Sequence, residues 1–180
     1  AVHEIRLMYL QRSILFALFS YNLLKANRKT KTAFREAHFI SKTKFYAAQL
    51  ELRDILNGSD FYQSPSIIKT TEYVTRLRLF EFFYTVFNGI GSPFPEEDTK
   101  INNLIVTLQA QFNFIIKPVQ RTKLETFLKI WLLRVLNNNP MDAEIIPQSN
   151  IDHLTVERLK SIKSAITEAF NITLSDYELN

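Results

Sequence analysis

Apolar residues recur at intervals of three and four along nearly the whole chain, and Asn, Gly or Pro interrupts most of the runs. That period of 3.6 places apolar side chains on one face of a helix, and the strict alternation required by a half-buried strand is rare. Only three glycines occur in 180 residues. The pattern predicts an all-α fold: a compact bundle of about six helices in a single domain, residues 1–180. A chain of this length buries roughly 70% of the surface its unfolded form exposes, so it needs neither disulfide nor metal to fold. No fixed-period repeat suggests a solenoid.

The first helix is expected from His3 to about Ala26, with Leu7, Leu10, Ile14, Ala17, Leu18, Tyr21 and Leu24 inward. A second, capped by Thr32, turns Phe45, Ala48, Leu52, Ile55 and Leu56 to one side before Asn57-Gly58, with a break near Ser41 left open. The third starts at Ser64-Pro65, a cap followed by proline at the first helical position. It runs through Ile68, Thr71, Val74, Leu77, Phe80, Phe83 and Phe87 to Asn88-Gly89. After the turn Gly89–Pro95, Glu96-Glu97-Asp98 complement the positive end of a fourth helix. Its stripe is Ile101, Leu104, Ile105, Leu108, Phe112 and Ile115, and Pro118 is expected to stop it.

Thr122-Lys123-Leu124-Glu125 has the form of a capping box and predicts the start of a fifth helix. Phe127, Leu128, Trp131, Leu132 and Val135 carry it to the break at Asn137–Pro140. Residues 138–151 are read as a surface connection. A last helix, about 152–170, has Leu159, Ile162, Ile166, Ala169 and Phe170 as its stripe, and the final ten residues are expected to trail off.

The chain offers little local chemistry. It has no cysteine, which removes thiolate metal sites and cysteine nucleophiles and points to a reducing compartment, cytoplasm or nucleus. His3, His38 and His153 have no ligand spacing between them, and Glu96-Glu97-Asp98 is accounted for by the helix dipole. Gly89-Ile90-Gly91 follows a helix rather than a strand and leads into Ser92-Pro93, unlike a phosphate-cradling loop. There is no Gly-x-Ser-x-Gly elbow. The expectation is no catalytic residue, no metal and no cofactor. The most apolar run, Ser13 to Leu24, is short of the about 20 residues that cross a bilayer. The N-terminus has no secretory leader pattern, and a start at Ala1 that enters a helix at once reads as a domain excised from a larger protein.

Two constellations could bind. Fifteen Phe, seven Tyr and one Trp make an aromatic-rich set. They concentrate in Phe80, Phe82, Phe83, Tyr84 and Phe87 of the third helix and in Phe16 and Phe19 of the first. Both helices are apolar nearly all round, as a central helix is, or a helix with a face given to another chain. The second constellation is basic. Residues 1–54 hold ten Lys/Arg against four Asp/Glu, whereas residues 55–180 hold twelve against fourteen. Lys31, Arg35, His38 and Lys42 would align on one continuous helix, with Arg28, Lys29 and Lys44 nearby.

The sequence therefore points to a non-enzymatic helical interaction or dimerisation domain whose partner is another protein or a second copy. The alternative is a nucleic-acid-binding helical domain that uses the basic row.

Overall fold

The computed structural model describes residues 2–25, 29–57, 71–141, 153–175 and 178, and among these the chain is all helical, with no strand. Eight α-helices are present among them rather than about six, because two of the expected long helices are broken: α1 (Val2–Arg12), α2 (Ile14–Ser20), α3 (Lys31–Ala37), α4 (Lys42–Leu56), α5 (Glu72–Phe87), α6 (Asp98–Phe112), α7 (Pro118–Leu136) and α8 (His153–Phe170).

Ser13 divides the first apolar run. Its backbone is extended, at φ −73° and ψ 124°, and its hydroxyl accepts from the Phe16 N–H at 3.4 Å, capping α2. Beyond Ser20 the chain continues as a π-helical segment, Tyr21–Lys25. Leu7, Leu18, Tyr21 and Leu24 are buried as expected, and Phe19 and Leu23 join them.

The second run breaks at Phe39. Thr30, not Thr32, caps α3 by accepting from the Ala33 N–H at 3.1 Å. At the other end Ile40 N–H donates to Arg35 O at 3.0 Å and Phe39 N–H to Glu36 O at 3.2 Å, with Phe39 at φ 52°. These two bonds around one left-handed residue form a Schellman stop, here with phenylalanine where glycine is usual. Ser41 then caps α4, accepting from Lys44 N–H at 3.2 Å. Phe45, Ala48 and Leu52 face inward, but Ile55 is exposed.

Thr71 caps α5, and the expected start at Ser64-Pro65 lies outside the described residues. The buried side of α5 runs through Glu72, Thr75, Arg76, Leu79, Phe83 and Phe87, so the stripe is rotated from the one predicted, with Leu79 fully inside and Phe80 at its margin. Its stop at Asn88-Gly89 is as read, with Gly89 at φ 75°. A 3-10 turn at Pro95–Glu97 leads into α6. That helix ends at Phe112 on left-handed Asn113 (φ 52°), before Pro118, which leaves Ile115 94% exposed. Pro118 opens α7 instead of closing α6, in keeping with proline's fitness for the first helical turn. Thr122 and Glu125 therefore lie inside α7, and the Thr122 hydroxyl bonds back to Pro118 O at 3.3 Å.

The core has two clusters that share α7. Ile130 and Leu133 pack into one with α2, the π segment, α3, α4 and α5; Trp131 and Leu132 pack into the other with Ile101, Leu104 and Ile105 of α6 and Ile162 and Ile166 of α8. Helix α7 is thus apolar on two sides because it is a wall between them. It ends at Asn137 as read, while residues 142–152, most of the expected surface connection, lie outside the described residues, as do the side chains of Leu159 and Ala169. Of the final ten residues, 171–175 and 178 are described, and two of these are held in the bundle. Leu174 is buried in the second cluster, and the Glu178 side chain is inserted between α5 and α7.

Candidate functional site

The aromatic constellation is built into the first cluster. Phe83 is fully buried and Phe19 and Phe87 nearly so, while Phe16, Phe80, Phe82 and Tyr84 are half-buried. Phe16 meets Phe82, Phe83 and Phe87 at 6.0–6.4 Å between ring centres, and Phe19 meets Phe82 edge-on at 5.3 Å. Phe80 packs on Tyr84 and Phe127. Phe19, Phe83 and Phe87 are therefore core residues, while Phe16, Phe80 and Phe82 are partly buried against them at the margin of the cluster.

The basic constellation comes apart. Lys31 and Arg35 are on α3 and His38 caps its end, but Lys42 and Lys44 lie on α4 beyond the Phe39 stop, so no single helical row exists. Lys29, Lys31, His38, Lys42 and Lys44 are exposed, Arg35 is half-buried, and Arg28 lies outside the described residues. Lys31 sits over the Tyr46 ring at 5.9 Å. Burial and then the charge of Lys29 lower the His38 pKa, which keeps the imidazole neutral at pH 7 and takes it out of the positive set.

The densest polar arrangement was not legible in sequence. Arg134, fully buried on α7, forks onto the Glu72 carboxylate and donates to Leu23 O of the π segment at 2.6 Å. Arg76 donates to Glu72 at 2.8 Å, to Asn139 O at 2.9 Å and to both oxygens of Glu178 at 2.6 and 3.0 Å. The Glu178 carboxylate also accepts from Trp131 Nε1 at 2.9 Å and from the Met141 N–H at 2.8 Å. Two guanidinium and two carboxylate groups balance in charge, and nearly every polar atom has a partner, which is the condition under which buried ions are tolerated. Burial alone would raise the Glu178 pKa, but the Arg76 hydrogen bonds and charge outweigh it and hold it below the ordinary carboxylate value. Likewise burial alone would lower Arg76, and the two carboxylates more than reverse it. Such a closed network ties α5, α7 and the chain end together and leaves no group free to react.

A second cluster sits where the Gly89–Pro95 turn meets α7. Lys129, buried at its tip, donates to Asp98, to Ser92 Oγ and to Pro93 O at 3.1 Å. Ser92 in turn donates to Asp98 at 2.8 Å. The base that Ser92 meets is the Asp98 carboxylate, which also accepts from Lys129 and is a weak one because its pKa is lowered. Burial would raise Asp98; the bonds from Lys129 and Ser92 outweigh it and lower its pKa, so the carboxylate stays ionised. The cluster fastens the turn to the bundle. Among the described residues no group of three His, Asp or Glu could hold a metal ion, and no helix is long and apolar enough to cross a membrane.

The surface also carries exposed apolar residues. Helix α1 buries only Leu7, and Val2, Ile5, Met8 and Tyr9 are 42–69% exposed. At ~100° per residue Val2, Ile5 and Tyr9 share one side, with Met8 at its edge and Arg12 between Met8 and Ile5. Phe39 is 96% exposed and Ile115 94%. Neither the α1 face nor Phe39 was singled out in the sequence, although the 2, 5, 9 spacing was there to be read. Compared with known proteins, the chain matches no family model, no curated protein and no solved structure.

Proposed function

We propose that the chain is a non-enzymatic helical interaction domain and that the outer face of α1 is where it holds another protein. The observation that carries this reading is the α1 face itself: four large apolar side chains on one short helix that contributes a single residue to the core. Isolated exposed apolar residues need no explanation, but four gathered on one face around Arg12 are the surface expected of a contact. Arg6 and Arg12 are exposed on the same helix. The face therefore suits an amphipathic partner with an apolar ridge and flanking carboxylates, which a second copy of the chain or another protein could supply.

The test is a photo-crosslinking amino acid placed at Tyr9, with the same group at exposed Thr85 on α5 as control, read together with light scattering across a concentration series. The reading expects a discrete adduct from position 9 only, of dimer mass if the partner is a second copy, and its loss with Ile5→Asp. Equal labelling from both positions, or an adduct that survives Ile5→Asp, would exclude the α1 face.

A further inference from the structure

The turn between α3 and α4 sets a fully exposed phenyl ring on a left-handed backbone. Left-handed φ is unfavourable for a residue with a Cβ, and most so for a bulky one. Phe94 adopts the same conformation at φ 56°, but its ring is buried 4.8 Å from that of Phe83 and lies under Lys25. Phe39 has no such compensation: 96% of it is exposed and it belongs to neither core cluster. An unfavourable backbone that presents an uncompensated aromatic ring is a reason to look for an external contact.

The surroundings say what kind. Arg35 and Glu36 flank Phe39 in a shallow, open depression, and Lys42 and Lys44 follow within five residues in the first turn of α4. Among the described residues none of the ion pairs involves Arg35, Lys42 or Lys44. From Lys42 the spacing of four continues through Tyr46 to Leu50, both exposed, which places a cation, a phenol and an aliphatic chain on one side of α4. Lys31 lies over the Tyr46 ring and adds its charge to that side.

We propose that this face docks on an anionic lipid surface, the Phe39 ring entering the headgroup layer while Lys31, Arg35 and Lys42 meet lipid phosphates. Interfacial anchors combine an aromatic or aliphatic edge with lysines whose stems lie along it and whose charge stays in the headgroups. A ring that is 96% exposed enters a bilayer without a preformed cavity, whereas a folded protein would have to present a matching pocket. A duplex calls for cations in register with its phosphates, and the Phe39 stop removes the continuous row that would provide them. The proposal is independent of the α1 reading because it uses a different face.

The experiment measures co-sedimentation of the chain with vesicles of phosphatidylcholine alone and of phosphatidylcholine mixed with phosphatidylserine, over a range of salt. Binding is expected to the mixed vesicles only and should weaken as salt rises. Phe39→Asn removes the ring with a residue that accepts the left-handed conformation, so the turn stays folded, and it should weaken partitioning by about tenfold or more. The paired change Lys31→Glu and Lys42→Glu should abolish it, while Ile5→Asp on α1 leaves it unchanged. Failure to bind the mixed vesicles at low salt overturns the proposal, and so does equal binding by Phe39→Asn and the parent chain. Retention on duplex DNA or polyglutamate with no uptake on vesicles would overturn it in favour of nucleic acid or an acidic protein.

Discussion

Among single residues, Glu178 has the largest expected effect for its position. Its carboxylate is the common acceptor for Arg76, Trp131 and the Met141 amide, and its removal leaves the Arg76 guanidinium buried with one carboxylate fewer. Breaking a buried pair in this way costs on the order of 3–5 kcal/mol. Glu178→Gln should lower the urea midpoint accordingly, and Trp131 fluorescence, from the only tryptophan, should shift because its indole N–H loses an ionised partner. A change below about 1 kcal/mol would show that the network is not closed as described. The same group sets an acid limit. Glu178, Glu96 and Asp98 all have folded pKa values below their ordinary 4.5, 4.5 and 3.8. Their contribution is fully present above those ordinary values and is lost as pH falls through the depressed ones. Stability measured by urea should therefore decline below about pH 4.5, and Glu178→Gln should flatten part of that decline. None of this was legible in sequence: Arg76 and Glu178 are 102 positions apart, and periodicity reports neighbours on one helix, not partners across a bundle.

At the scale of the element, the stops at Asn88-Gly89 and Asn137–Pro140 were legible, whereas left-handed Asn113, which ends α6, and the breaks at Ser13 and Phe39 were not. Asn88-Gly89 and Asn137–Pro140 end helices where read because their chemistry is local. Ser13 and Phe39 divide runs whose apolar period continues through the break. Pro118 and Thr122-x-x-Glu125 misled in a related way: each is compatible with more than one place near a helix start, and proline at the first helical position prevailed. The breaks can be tested through their caps. Ser41→Ala removes the acceptor for Lys44 N–H and should cost about 1 kcal/mol; Ser13→Ala, whose bond to Phe16 N–H is longer at 3.4 Å, should cost about half that. Phe39→Gly should act in the opposite sense. Relief of a left-handed penalty of about 1–2 kcal/mol exceeds the entropy that glycine adds to the unfolded chain, about 0.4–1 kcal/mol, so the thermal midpoint should rise. A fall would mean that the ring makes stabilising contacts within the chain.

At the scale of the whole molecule, the aromatic run and the all-round apolar helices pointed to two possibilities, a deep core or a mating surface, and local pattern could not choose between them. Packing of Phe16 and Phe19 on α5 takes up part of that surface, and the contacts proposed above use the exposed residues of α1 and the Phe39 turn instead. The core that results is two clusters with α7 between them, and this bears on how the chain unfolds. Ile130 and Leu133 face one cluster while Trp131 and Leu132, adjacent in sequence, face the other. Neither cluster can lose its packing without depriving the other of a wall, and Arg134 further joins α7 to Glu72 and to Leu23 O. Leu18 is fully buried in the first cluster and belongs to neither α7 nor the surroundings of Trp131. Leu18→Ala should cost about 2–5 kcal/mol. If α7 couples the clusters, that loss should appear in full in the urea transition reported by Trp131 from the second cluster, with far-UV circular dichroism superimposing on it. Two separated transitions, with the Trp131 midpoint unmoved by Leu18→Ala, would mean that α7 is held by the second cluster alone and that the first can open around it.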